Sequence, residues 1–216
     1  MQMHIGVFDS GIGGEAVASD IAAAFPDAKI STVNDSEHVP YGTRESEEII
    51  NLTNTAIQPL LDSKCDVIVI ACNTATAIAI DWLRATYPMQ KFIGLEPMVK
   101  PAPSLSKSQV IAICATPATL KSPRYEMAKQ LYAADVTVVE PDCSDWARLI
   151  EDNDMNQQII ADDMNECLEA GADVIVLGCT HYHWIKDDII RLVGNRAIVI
   201  EPTDAIVRRI KELLHL

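Results

Sequence analysis

Eight short runs of β-branched and aliphatic residues punctuate the chain: HIGVFDSG, AKISTVND, CDVIVIACNT, KFIGLEP, QVIAICATPAT, DVTVVEPD, ADVIVLGCT and RAIVIEP. Several are continuously apolar rather than alternating, which is how strands buried on both faces of a parallel sheet read. Between them lie stretches at helical period, such as ESEEIINLTNTAIQPLLDS ahead of the third run. Strand and helix alternating in this way predict an α/β fold with helices covering both sheet faces.

The pattern also repeats. The segment from Asp66 to Cys72 (DVIVIAC) matches that from Asp173 to Cys179 (DVIVLGC) at five of seven positions. The segment Ile93 to Pro97 (IGLEP) aligns with Ile198 to Pro202 (IVIEP), and the first runs of each half, near Gly6 and Ile111, fall at a similar spacing. Four elements in one order at a near-constant offset predict a duplicated four-stranded unit, with a period far too long for a solenoid. The expected architecture is therefore two pseudo-symmetric Rossmann-like parallel-sheet domains facing each other across a cleft. Residues 1–97 plus a returning helix at 205–216 would form the first, and residues 98–204 the second.

Composition narrows the function classes. The 216 residues carry a net charge of −14, a field that repels phosphate backbones and anionic lipid, so neither a nucleic acid nor a membrane is expected as partner. No apolar run approaches the roughly 18 residues of a membrane span, and MQMHIGVFDSG lacks a basic leader, which points to the cytoplasm. Six cysteines, at 65, 72, 114, 143, 167 and 179, form no CxxC or CxxH pair, so disulfides and a metal site are both unexpected. No GxxxxGK[ST] is present, and the glycine-rich DSGIGG is not a dinucleotide fingerprint.

What remains are thiols, and the duplication selects two. Ligands in parallel sheets sit at the carboxyl ends of strands, where each half places a cysteine followed by small polar residues: Cys72-Asn73-Thr74 and Cys179-Thr180-His181. By base rate a cysteine there is a small buried hydrophobe, the reading kept for Cys65, Cys114 and Cys167. Two thiols on opposite faces of one carbon could remove a proton from one side and return it from the other, inverting a stereocentre by general acid–base chemistry. Such a site needs donors for the developing carbanion. Asp9-Ser10-Gly11-Ile12-Gly13-Gly14 opens a helix whose backbone N–H groups could receive an anion. Pro40-Tyr41-Gly42 and Thr116-Pro117-Ala118-Thr119 follow the second and fifth strands and read equally as a turn and an N-cap.

These motifs carry a resemblance. FDSGIGG at 8–14, PYG at 40–42, ACNTATA at 71–77, ATPATLKS at 115–122 and LGCTHY at 177–182 together resemble the glutamate racemases of the cofactor-independent aspartate/glutamate racemase superfamily, in order over most of the chain. The resemblance implies racemisation of a small acidic amino acid without cofactor, D-glutamate for peptidoglycan as the product's use, and dimers as a common assembly. It implies Cys72 and Cys179 as the two bases, with Asp9 and Ser10 on the substrate amino group beside Cys72. Tyr41, Gly42, Asn73, Thr74, Thr119 and Thr180 would line the substrate site, His181 would assist Cys179, and Glu151 would be a supporting carboxylate. The chain differs from the family in CTHYH for CTHYP, which puts His183 in place of proline. It is also shorter between Glu151 and Cys179 and at its C-terminal end.

Overall fold

A computed structural model describes residues 2–215, apart from the side chains of Thr203 and Asp204. The eight runs form eight strands: β1 (His4–Asp9), β2 (Lys29–Asn34), β3 (Val67–Ile70), β4 (Phe92–Gly94), β5 (Val110–Cys114), β6 (Thr137–Val139), β7 (Val174–Leu177) and β8 (Ile198–Ile200). They pair in parallel into two sheets, ordered β2-β1-β3-β4 and β6-β5-β7-β8. The second order is the first shifted by four strands, so the repeat in the sequence is a repeat in topology.

The central strands explain the continuous apolar runs. Every residue of β1, β3 and β7 is buried, because helices cover both faces. Ile68 and Ile70 point into one layer with Ile49, Leu60 and Ile80, whereas Val67 and Val69 point into the other with Val17 and Ile21. The second half repeats this split: Ile175 and Leu177 pack with Trp146 and Met164, and Val174 and Val176 with Tyr125 and Val99. The helix Thr203–Leu214 returns to the first half, burying Ile206 and Ile210 against Ile5, Val67 and Ile93.

The helical stretch ahead of β3 resolves into two helices, Ser46–Ala56 and Gln58–Asp62. Pro59 is the reason: it has no N–H to continue the ladder and its ring conflicts with the carbonyl four residues back.

Candidate active site

Each central strand delivers its cysteine to the same end of its sheet. Cys72 is the N-cap of the helix Asn73–Thr86, and its Sγ accepts the Ala75 N–H at 3.4 Å. The Ser10 hydroxyl, just past β1, donates to the same sulfur at 3.2 Å. Cys72 is buried, and that burial, aided by the Asp9 charge and opposed by the Ser10 and Ala75 donors, pushes its thiol up to about 12. It is therefore protonated at neutral pH.

Cys179 is the more open of the two thiols and has a different companion. His181 Nδ1 lies 3.6 Å from its sulfur, and His181 Nε2 lies 2.6 Å from Glu151 Oε1 at the end of the helix Trp146–Glu151. Burial alone would lower the imidazole's proton affinity. Its bonds to Cys179 and Glu151 and the nearby Asp9 outweigh that and raise it to about 11. Glu151 in turn is held below the usual carboxylate range by the His181 bond, against partial burial and helped by Ile12 N–H. One thiol thus has a hydroxyl beside it and the other a cation.

The two halves meet through Asp9. Its Oδ1 accepts Gly11 N–H at 2.8 Å, and its Oδ2 accepts the Thr180 hydroxyl, from the other half, at 2.9 Å. Full burial raises its proton affinity, offset by His181 and by the Gly11, Thr180 and Gly14 donors. Cys179 is close enough to Cys72 for a charge on it to push the Cys72 thiol further up.

The glycine-rich turn after β1 departs from its expected role. Ile12 N–H donates to Glu151 Oε1 at 2.8 Å, so the anion met by this turn is a carboxylate of the chain itself. The glycines serve close approach. A Cβ on Gly11 would strike Glu151 and His181, and one on Gly13 would lie 2.6 Å from Thr180 Oγ1.

On the other side, Thr74, Thr116 and Thr119 gather their hydroxyls: Thr74 to Thr116 is 2.8 Å and Thr116 to Thr119 is 3.1 Å. Thr116 is also the N-cap of the helix Pro117–Leu120, so the capping and hydroxyl-cluster readings both hold. Gly42 lies so near Thr116 that a Cβ would come within 2.6 Å of it. Tyr41 is buried, with its hydroxyl donating to Asp35 Oδ2 at 2.6 Å. Asn73 donates from Nδ2 to Leu95 O at 3.2 Å, and its Oδ1 is buried without a partner among the described residues. A cavity of about 20 Å³ opens on each side of Asn73, one lined by Thr119 and the other by Cys179, Thr180 and His183.

Every residue singled out in the sequence therefore lies at the carboxyl ends of the two sheets or against that zone. Asp35 and Thr116 join them. Thr116 was visible both as a hydroxyl donor and as a cap, whereas Asp35 was not singled out. The four other cysteines, at 65, 114, 143 and 167, are buried in the cores.

A duplicated α/β scaffold presenting two thiols with acid–base companions is an arrangement suited to proton transfer. The comparisons agree with that class. The model of the Asp/Glu/Hydantoin racemase family matches residues 13–210. The glutamate racemase of Herpetosiphon aurantiacus is 37% identical over 214 residues, 97% of this chain and 84% of the relative. Among solved structures, glutamate racemase isoform RacE1 from Bacillus anthracis superposes with a TM-score of 0.86 at 28% identity, covering 99% of this chain and 82% of that one. The Francisella tularensis glutamate racemase, solved in complex with D-glutamate, gives 0.84 at 26% identity, covering 99% and 81%. The chain belongs to the Asp/Glu/Hydantoin racemase family.

Proposed function

We propose that this protein interconverts L- and D-glutamate by two-base proton transfer at the α-carbon, with Cys72 and Cys179 on opposite faces of the substrate. The observation that carries the reading is the asymmetry of the two thiols. Cys72 is held protonated by burial and Cys179 lies beside the His181 cation. In one direction Cys179 takes the α-proton and Cys72 delivers its own to the opposite face. In the other direction the roles reverse, and microscopic reversibility requires no further group.

Glu151 anchors His181, and Ser10 donates to Cys72. Asp9 and Ser10 receive the substrate ammonium, with Asn73, whose buried Oδ1 has no partner among the described residues, as a further acceptor. Thr74, Thr119 and Thr180 with Tyr41 and Gly42 hold the carboxylates, and fixed donors of this kind stabilise the developing carbanion. The likeness to glutamate racemases over 97% of the chain supports glutamate as substrate.

The same reading divides the chain into residues 1–97 with 205–216, and residues 98–204, joined at two linkers that would let the halves part for substrate. It places the protein in the cytoplasm as a homodimer supplying D-glutamate for peptidoglycan. No helix among the described residues is long and apolar enough to cross a membrane, and six free thiols suit a reducing compartment.

The test is α-proton exchange in D₂O followed by NMR, offering L- and D-glutamate and L- and D-aspartate separately. Deuterium entering glutamate with appearance of its enantiomer is the expected result. Exchange into aspartate alone would move the substrate to aspartate, and exchange into none would refute the racemase reading.

A further inference from the structure

His183, the histidine standing where the family's motif has proline, faces the thiol chemistry from outside. Its Nδ1 lies 3.4 Å from Glu201 Oε2, and Lys186 Nζ holds the other oxygen of that carboxylate. Glu201 directly follows β8, so this pairing ties the turn after β7 to the linker that leads back to the first half. The His183 side chain is 38% exposed, so it touches solvent. It also lines the same 20 Å³ cavity as Cys179, Thr180 and Asn73. A cavity of that size accommodates one water, which needs two to four polar partners. The polar side chains that line it are those of Asn73, Cys179, Thr180, His183 and Glu201.

Two-base racemisation creates a need for such a path. Each turnover leaves the thiols with exchanged protonation: the sulfur that took the α-proton carries it, and its opposite number has lost one. Repeating the reaction in the same direction requires a proton to leave the first thiol and another to reach the second. On the His181 side, the imidazole is already protonated and locked between Glu151 and the sulfur, and it is buried. The cavity side leads outward.

We propose that His183, through one water in this cavity, relays the proton between Cys179 and bulk solvent and so resets Cys179 between turnovers. The inference rests on the two-thiol reading above. Glu201 accepts from Nδ1–H and fixes that tautomer, leaving Nε2 as the acceptor. In the step itself the Cys179 S–H bond breaks towards the water, the water passes a proton to His183 Nε2, and the imidazolium releases it to solvent. The sulfur keeps the electron pair, and no redox partner is involved. His183 acts through the water on Cys179 and has no contact with substrate in this scheme.

The experiment compares the wild type with His183→Ala and Glu201→Gln in steady-state racemisation of glutamate at low buffer concentration, with and without added imidazole. The expected result for His183→Ala is a fall in kcat of at least about tenfold, below the usual range for a positioned acid–base group because water still reaches the cavity. KM should fall with it, and imidazole should restore kcat in a saturable way. Glu201→Gln should show a smaller loss with the same rescue. Unchanged kcat in His183→Ala would overturn the relay, and so would a loss that imidazole does not relieve, since a purely structural histidine is not replaced by free imidazole. The single-turnover rate on enzyme mixed with excess over substrate should be unaffected by the substitution, and a matching loss there would also overturn it. An inactive wild type would instead fail the racemase reading, which the D₂O exchange measures separately.

Discussion

Replacing Glu151 by glutamine isolates the electrostatic part of the Cys179 side. The carboxylate accepts from His181 Nε2 at 2.6 Å and from Ile12 N–H at 2.8 Å, both on Oε1. Glutamine keeps the shape and an acceptor oxygen but removes the charge. Hydrogen bonds to ionised groups are roughly twice as strong as neutral ones, so each loses about 1 kcal/mol and the pair about 2 kcal/mol. If that loss falls on the transition state, kcat/KM drops about thirtyfold. The assay is enantiomer interconversion followed by circular dichroism in both directions. The fall must be equal for L- and D-glutamate, because their equilibrium constant is one.

The same pair also predicts a pH dependence of stability. Glu151 is held below its ordinary value of 4.5, so its contribution is fully present above 4.5 and is lost as pH falls through the lowered native value. His181 is raised from 6.5 to about 11, so its contribution is fully present below 6.5 and is lost as pH climbs through about 11. The pair stabilises most between pH 4.5 and 6.5, and Glu151→Gln should flatten both limbs of a denaturation midpoint measured against pH. A variant within twofold of wild-type kcat/KM, with an unaltered pH profile, would refute the ion pair as a working element.

Three further outcomes follow from the geometry. Cys72→Ser and Cys179→Ser should each abolish racemisation measured by chiral chromatography, and near-wild-type turnover in either would remove that sulfur from the chemistry. Gly13→Ala should lower stability by about 1–3 kcal/mol, the ordinary cost of overpacking, because its Cβ would sit 2.7 Å from the Thr180 carbonyl carbon; a thermal melt at the wild-type temperature would contradict the close approach. Brief treatment with iodoacetamide under native conditions should label Cys179 before the five buried cysteines, and peptide mapping that finds Cys114, Cys143 or Cys167 labelled first would show a core that opens.

Much of the fold was legible because it is written in strictly local terms. All eight strands follow from short β-branched runs, and the duplicated order follows from Asp66–Cys72 and Asp173–Cys179 matching in sequence and occupying the equivalent strands β3 and β7. The break at Ile57 was masked by a helical period that continues across it, although Pro59 marks the spot. The pairing of Glu151 with Ile12 and His181 was not legible from pattern alone. Those contacts span 139 and 30 residues, and only the resemblance to a family pointed to Glu151. Asp35 illustrates the same limit: its bond to Tyr41 depends on the turn that brings residue 41 back over β2, which no periodicity encodes.

The glycine-rich turn shows why the site and the meeting of the halves are one structure. Glycines after a strand suggest a loop shaped for an external anion, and that expectation treats the first half as sufficient. In the folded chain the turn is shaped for the second half. Gly11 makes room for Glu151 and His181, Gly13 for Thr180, and Gly14 for Asp9, which then takes the Thr180 hydroxyl. The residues that set the proton affinity of His181 therefore come from three separated segments: Asp9, Glu151 and Cys179. Separating the halves would take Asp9 and the Ile12 N–H away from the His181–Glu151 pair, which itself lies within the second half. On the proposed reading, proton transfer by the two thiols belongs to the arrangement in which Asp9 takes the Thr180 hydroxyl across the halves and burial holds the Cys72 thiol protonated. Any substitution that loosens Gly13 from Thr180 should lower kcat as well as stability.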